Sequence, residues 1–168
     1  MRFNRYKRLP NRLLLREYRN INLEININTK HKILEYIIWG NGENIMRLKV
    51  SKNLFIDATF HQPPEFQQLL IIMYKDIITS LKITGIYILM NSKEEYLYDL
   101  VFHSLLRIVW HDNLEHILVE TIVTDQEKAL IKMVKKYFPN SLRISCLFHY
   151  KQDILRNLRL YGLMKKKI

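Results

Sequence analysis

The sequence predicts an α/β fold, a mixed sheet covered by helices, and three observations carry that prediction. Between Asn53 and Met90 lie three short strand-like apolar runs, joined by segments too short for a helical crossover, which makes them an antiparallel meander. From Glu94 onward, helical and strand patterns alternate. The chain has 168 residues, of which 48% are hydrophobic and 26% charged, so it suits one globular domain with a real core and excludes a wholly disordered chain.

The elements follow in order. Residues 1–50 read as a basic, partly helical N-terminal lead-in, rich in Asn. Within it, Ile33, Leu34, Ile37 and Ile38 stand at helical spacing and predict a helix over Thr29–Trp39, ended by Gly40-Asn41-Gly42. Pro10 breaks any continuous helix through the first twenty residues. Residues 51–164 form the core, and 165–168 a basic tail. The first core strand runs through Leu54, Phe55, Ile56 and Asp57 into Ala58-Thr59-Phe60, and His61-Gln62-Pro63-Pro64 is a loop. Gln68–Tyr74 and Gly85–Met90 are the next strands, with Lys75-Asp76 at the turn between them. Glu94–Trp110 is a helix whose apolar face holds Tyr98, Val101, Phe102, Leu105 and Leu106. Thr121–Thr124 is a strand ending at Asp125, and Gln126–Phe138 an amphipathic helix with Leu130, Met133, Val134 and Tyr137 inward, stopped by Pro139. Leu142–Leu147 is a strand, and Tyr150–Tyr161 a helix with Ile154, Leu155, Leu158 and Tyr161 as its apolar stripe. Three antiparallel strands followed by two parallel ones give a mixed sheet flanked by helices.

Charge narrows the partners. Lys and Arg number 27 against 16 for Asp and Glu, a net +11. The excess gathers at the two ends: Arg2, Arg5, Lys7, Arg8 and Arg12 at one, and Lys151, Arg156 and Arg159 at the other. A basic surface of this kind attracts polyanions, DNA and RNA foremost, although two merely solvated basic ends account for the same residues. Cys146 is the single cysteine, which excludes an intrachain disulfide and fits a reducing compartment. No apolar run approaches the ~20 residues that span a bilayer, so no membrane partner is expected. The first residues are no secretory signal; their Arg-rich, acid-poor composition leaves a mitochondrial presequence as a minor alternative.

Asp57 and Asp125 are the pair with chemical promise. Each lies in or just beyond a short apolar strand, and if those strands are parallel neighbours both carboxylates emerge at one end of the sheet, where open α/β sheets bind ligands. Adjacent carboxylates repel unless a cation lies between them, and a hard, oxygen-preferring ion such as Mg²⁺ fits. The rival reading makes Asp57 the cap of a bend and Asp125 the N-cap of the following helix. Cys146 and His149 form a C-x2-H pair, but two ligands are not a zinc site, and no second cysteine accompanies them. Gly40, Gly42, Gly85 and Gly162, the only glycines, make no phosphate-binding loop and no nucleophile elbow.

These residues resemble a known family, the Mutator-like element (MULE) transposases. Asp57-Ala58-Thr59-Phe60, followed by Pro63, Phe66 and Gln68-Leu69, is similar to their first catalytic block. Ile88-Leu89-Met90 with Lys93 and Tyr98 resembles the next block, and Ile122-Val123-Thr124-Asp125-Gln126-Glu127-Lys128-Ala129-Leu130 the block of the second catalytic Asp. Phe138-Pro139 and then Cys146-Leu147-Phe148-His149 resemble the Phe-Pro and C-x2-H signatures further on. The resemblance covers about residues 53–160. It implies a ribonuclease H-like fold, Mg²⁺ or Mn²⁺ as cofactor, DNA as partner, DNA transposition as activity and the nucleus as location, and it admits a homo-oligomer. It puts Asp57 and Asp125 in the places of the first two acids of the DDE triad. The third, a Glu on a later helix, has no counterpart before Ile168, so the expected core is C-terminally incomplete, with a partly uncovered face near the C-terminus. Ala58 departs from the Gly usual in the family, harmlessly if the residue lies in a regular strand. Three functional readings follow, in order: a transposase fragment inactive alone, a DNA-binding module without catalysis, and a metal-dependent nuclease with Asp153 or Glu127 as substitute third acid.

Overall fold

The computed structural model describes residues 18–21, 34–59, 66–112 and 117–163. Among these residues, seven strands form one mixed sheet: β1 (Tyr18–Ile21), β2 (Leu34–Gly40), β3 (Asn53–Thr59), β4 (Gln68–Lys75), β5 (Lys82–Met90), β6 (Thr121–Thr124) and β7 (Leu142–Ser145). The helices are α1 (Gly42–Lys49), α2 (Glu95–Trp110), α3 (Lys128–Tyr137) and α4 (Leu147–Leu160). The sheet order is β1-β2-β5-β4-β3-β6-β7. β3, β4 and β5 form the expected antiparallel meander, and β6 and β7 add to it in parallel.

Alternation explains β3 and β4. Leu54, Ile56 and Ala58 turn inward from β3, and Leu70, Ile72 and Tyr74 do so from β4. They meet Leu97, Val101, Phe102 and Leu105 of α2 and Leu130, Met133 and Val134 of α3 in one core. Ala58 lies in this regular strand without a positive φ, so Ala where the family has Gly brings no backbone strain. Trp110 closes the end of the core, edge-to-face on Phe138, and its indole N–H donates to the Lys49 carbonyl at 3.2 Å.

The N-terminal region corrects one expectation. Residues 34–39 of the anticipated Thr29–Trp39 helix lie in strand β2, paired with β1 on one side and β5 on the other. Tyr36, Ile37, Ile38 and Trp39 are aromatic or β-branched and favour a pleated surface. Tyr36, Ile37 and Ile38 are buried in succession, and a strand covered on both faces reads as a continuous apolar run, which mimics helical spacing. Gly40 ends the strand, and the Asn41 side chain accepts the Glu43 N–H at 2.8 Å to start α1.

The packing of α1 depends on Gly85. The β4–β5 register shifts between Ile72 and Met73, leaving Gly85 between the paired Ile86 and Thr84. A Cβ at Gly85 would come within 2.5 Å of Leu48 Cδ1, so the missing side chain lets α1 lie against the sheet.

The C-terminal end is the open part of the molecule. α4 buries none of its residues, and β7 is an exposed edge. Ile154, Leu155 and Tyr161, expected as an inward stripe, are exposed with Leu147 and Phe148, and the uncovered face anticipated near the C-terminus is present. The loop at His61–Pro64, the first part of the Thr29–Trp39 segment and the basic residues Arg2, Arg5, Lys7, Arg8 and Arg12 lie outside the described residues.

Candidate active site

β3 and β6 run side by side and parallel, with Phe55 opposite Val123 and Ile56 opposite Thr124. One further step in that register brings Asp57 alongside Asp125, on strands about 4.8 Å apart. Because β6 and β7 are parallel too, with Thr124 opposite Ser145, the start of α4 comes to the same edge. The Cys146 N–H fastens it there by donating to the Thr124 carbonyl at 2.6 Å. One turn into α4, His149 Nε2 stands 3.5 Å from Asp57 Oδ1.

The Asp57 side chain is 45% exposed, yet its Oδ1 is sealed from solvent and has no hydrogen-bond partner among the described residues. The exposure therefore belongs to the rest of the carboxylate. His149 approaches without hydrogen-bond geometry, and its Nδ1 is likewise buried, with no hydrogen-bond partner among the described residues. A sealed carboxylate oxygen with no donor is uncommon, because each such group sacrifices its hydration.

Asp125 is 7% exposed. Its Oδ1 accepts the Glu127 N–H at 3.0 Å, a turn that leads into α3. The N-cap of α3 is Glu127, so the reading of Asp125 as that cap does not hold: its Oδ1 closes the turn before the helix, and Oδ2 lies outside the turn. Burial pushes the Asp125 carboxyl above its usual range, and the Glu127 N–H and His149 partly offset this. Asp57 and Asp153 push it further up, so these acids and His149 share one field.

Behind the site lies a polar chain that sequence reasoning took for core. The Tyr98 hydroxyl, wholly buried, donates to Glu127 Oε2 at 2.6 Å and accepts from Gln68 Nε2 at 2.6 Å. A Tyr on the apolar stripe of a helix gives no sign of its hydroxyl's partner. The approach of His149 was better signalled, since a C-x2-H just past a parallel strand reaches the sheet edge that holds both Asp residues.

Asp153 on α4 pairs with Arg156 at 3.3 Å. Lys151, Arg156 and Arg159 are exposed along α4. Among the described residues no three His, Cys, Asp or Glu side chains converge as a metal-holding group, and Cys146 gains no zinc-site companions beyond His149. No described helix is long and apolar enough to cross a membrane.

A meander extended by parallel strands, with acids at its carboxyl edge, is the ribonuclease H-like arrangement. The MULE transposase domain family profile matches residues 53–153, from the first residue of β3 into α4 and over more than half of the chain. The chain belongs to this family, and its function is transposase-related. No curated protein matches it.

Proposed function

We propose that Asp57 and Asp125 hold a divalent cation, Mg²⁺ or Mn²⁺, at the carboxyl edge of the sheet, and that the chain carries part of a DDE-type active site for DNA strand cleavage and transfer. The parallel β3–β6 register carries this reading, because it pairs Ile56 with Thr124, the residues immediately before Asp57 and Asp125. The donor set fits the ion: oxygen ligands, one of them sealed and unpartnered, beside a buried carboxyl that burial and its neighbours make reluctant to ionise. A cation bound there supplies Lewis-acid activation of water and stabilises the leaving oxygen of a phosphodiester. Asp57 and Asp125 orient it, and His149 lies where it can donate a hydrogen bond to an oxygen entering the site.

Two acids without a third bind a cation weakly, so the chain alone is slow or inert as a nuclease. Glu127, engaged by Tyr98, is a poor substitute ligand, whereas Asp153 is near enough for Asp125 to feel its charge. The test is Mg²⁺- or Mn²⁺-dependent nicking of a labelled DNA duplex. Nicking abolished by Asp57→Ala and by Asp125→Ala, and also by Asp153→Ala, identifies a site completed by α4. Salt-sensitive DNA binding without nicking, unchanged in the mutants, favours the second reading, a DNA-binding module, which the exposed Lys151, Arg156 and Arg159 support. A nuclear location, which the family resemblance implies, is compatible with either reading.

A further inference from the structure

We propose that Tyr98 is a positioning residue for Asp125: its hydroxyl, held between Gln68 and Glu127, fixes the Asp125–Glu127 turn and so aims the Asp125 carboxylate at Asp57. The inference rests on the reading of Asp125 as a cation ligand. Three links connect β4 to the site. Gln68 Nε2 donates to the Tyr98 oxygen at 2.6 Å, Tyr98 donates to Glu127 Oε2 at 2.6 Å, and the Glu127 N–H donates to Asp125 Oδ1 at 3.0 Å. Tyr98 stands in the first turn of α2 and Gln68 at the start of β4, so the turn after β6 is tied to two rigid elements besides its own strand.

The proton inventory gives this chain a direction. Tyr98 has one hydroxyl proton, and Glu127 needs it while ionised. Gln68 therefore must present its amide N–H₂ to Tyr98, and its Oε1 is left buried without a donor. Were the amide reversed, Oε1 would compete for the proton that holds Glu127. An orphaned amide oxygen costs stability. A half-buried carboxylate bonded to a phenol behind a second carboxylate does too, so packing alone gives no reason for the arrangement. A fixed ligand does give one, since hydrogen-bonded groups behind metal ligands commonly set their direction.

The experiment uses the full chain, ¹⁵N-labelled, with two readouts. One is the Glu127 amide proton shift in metal-free protein. The other is Mn²⁺ affinity, from the electron paramagnetic resonance signal of free Mn²⁺. Tyr98→Phe keeps the ring and removes the hydroxyl. It is expected to move the Glu127 amide upfield and to weaken Mn²⁺ binding about 10-fold or more. Glu127→Gln retains an acceptor for Tyr98 and should keep most of the affinity. The double variant Tyr98→Phe/Glu127→Leu also removes the carboxylate that Tyr98→Phe leaves without its donor, so it should regain part of the thermal midpoint lost in Tyr98→Phe and still bind Mn²⁺ weakly. An unmoved amide in Tyr98→Phe, or affinity that returns with stability in the double variant, overturns the proposal. A wild-type chain that takes up no Mn²⁺, while the amide moves as expected, removes the cation reading and leaves the positioning of Asp125 standing.

Discussion

Asp125 is held where a carboxylate is uncomfortable, 7% exposed, with Asp57 and Asp153 adding repulsion. Its folded-state carboxyl lies above the unfolded value, so the stability it contributes is fully present below the unfolded value and is lost as pH rises through the folded one. At neutral pH its ionisation opposes folding. Asp125→Asn keeps an oxygen for the Glu127 N–H and removes the charge. It should therefore raise stability at pH 7 on the order of 1 kcal/mol, about 2–4 °C in melting temperature for a chain of this size. Differential scanning calorimetry should show that gain shrinking as pH falls toward the ordinary carboxylate range. Saturating Mn²⁺ should reverse the order, because only the native carboxylate gains from the ion. The position of this acid was legible in the sequence: an apolar strand followed by Asp, with a second such strand nearby, is a local pattern. Its link to Tyr98 was not, because an amphipathic helix gives Tyr98 and Val101 the same apolar role.

At the scale of elements, α1 and β5 meet through an absence. Gly85→Ala would drive a Cβ into Leu48, whose side chain is wholly buried and has little room to yield. The substitution should cost about 1–3 kcal/mol, read as a lower urea midpoint with an unchanged slope. The meander, α2, β6 and α3 were legible because each carries its own period and its own stop, such as Pro139 after α3. β2 was not, since burial on both of its faces, with Tyr36, Ile37 and Ile38 buried in succession, erased the alternation that marks a strand. The stripe of α4 was real but does not face inward: Ile154 and Leu155 have helical spacing and yet remain exposed. Periodicity reveals that a face is apolar, and only the neighbouring elements decide whether that face is covered.

For the whole molecule, the net charge of +11 and the exposed cations of α4 predict binding to DNA that weakens steeply with salt. The logarithm of affinity should fall by about 0.9 per phosphate contacted, and replacing Lys151, Arg156 and Arg159 together with Ala should flatten that slope by roughly 2–3 in a fluorescence-anisotropy titration. An unchanged slope would place the contacts elsewhere. The same topology also sets a timetable. β3, β4 and β5 join through neighbouring segments, whereas the β3–β6 ladder pairs Asn53 with Thr121, 68 residues further along the chain. Closing so distant a contact is slow compared with closing a turn. On the ribosome, Asp57 and the antiparallel partner of its strand are both synthesised before Asp125. The proposed cation site thus comes into being only when the parallel half of the sheet docks, and a nascent chain that stalls after α2 carries a lone carboxylate with nothing to share an ion with.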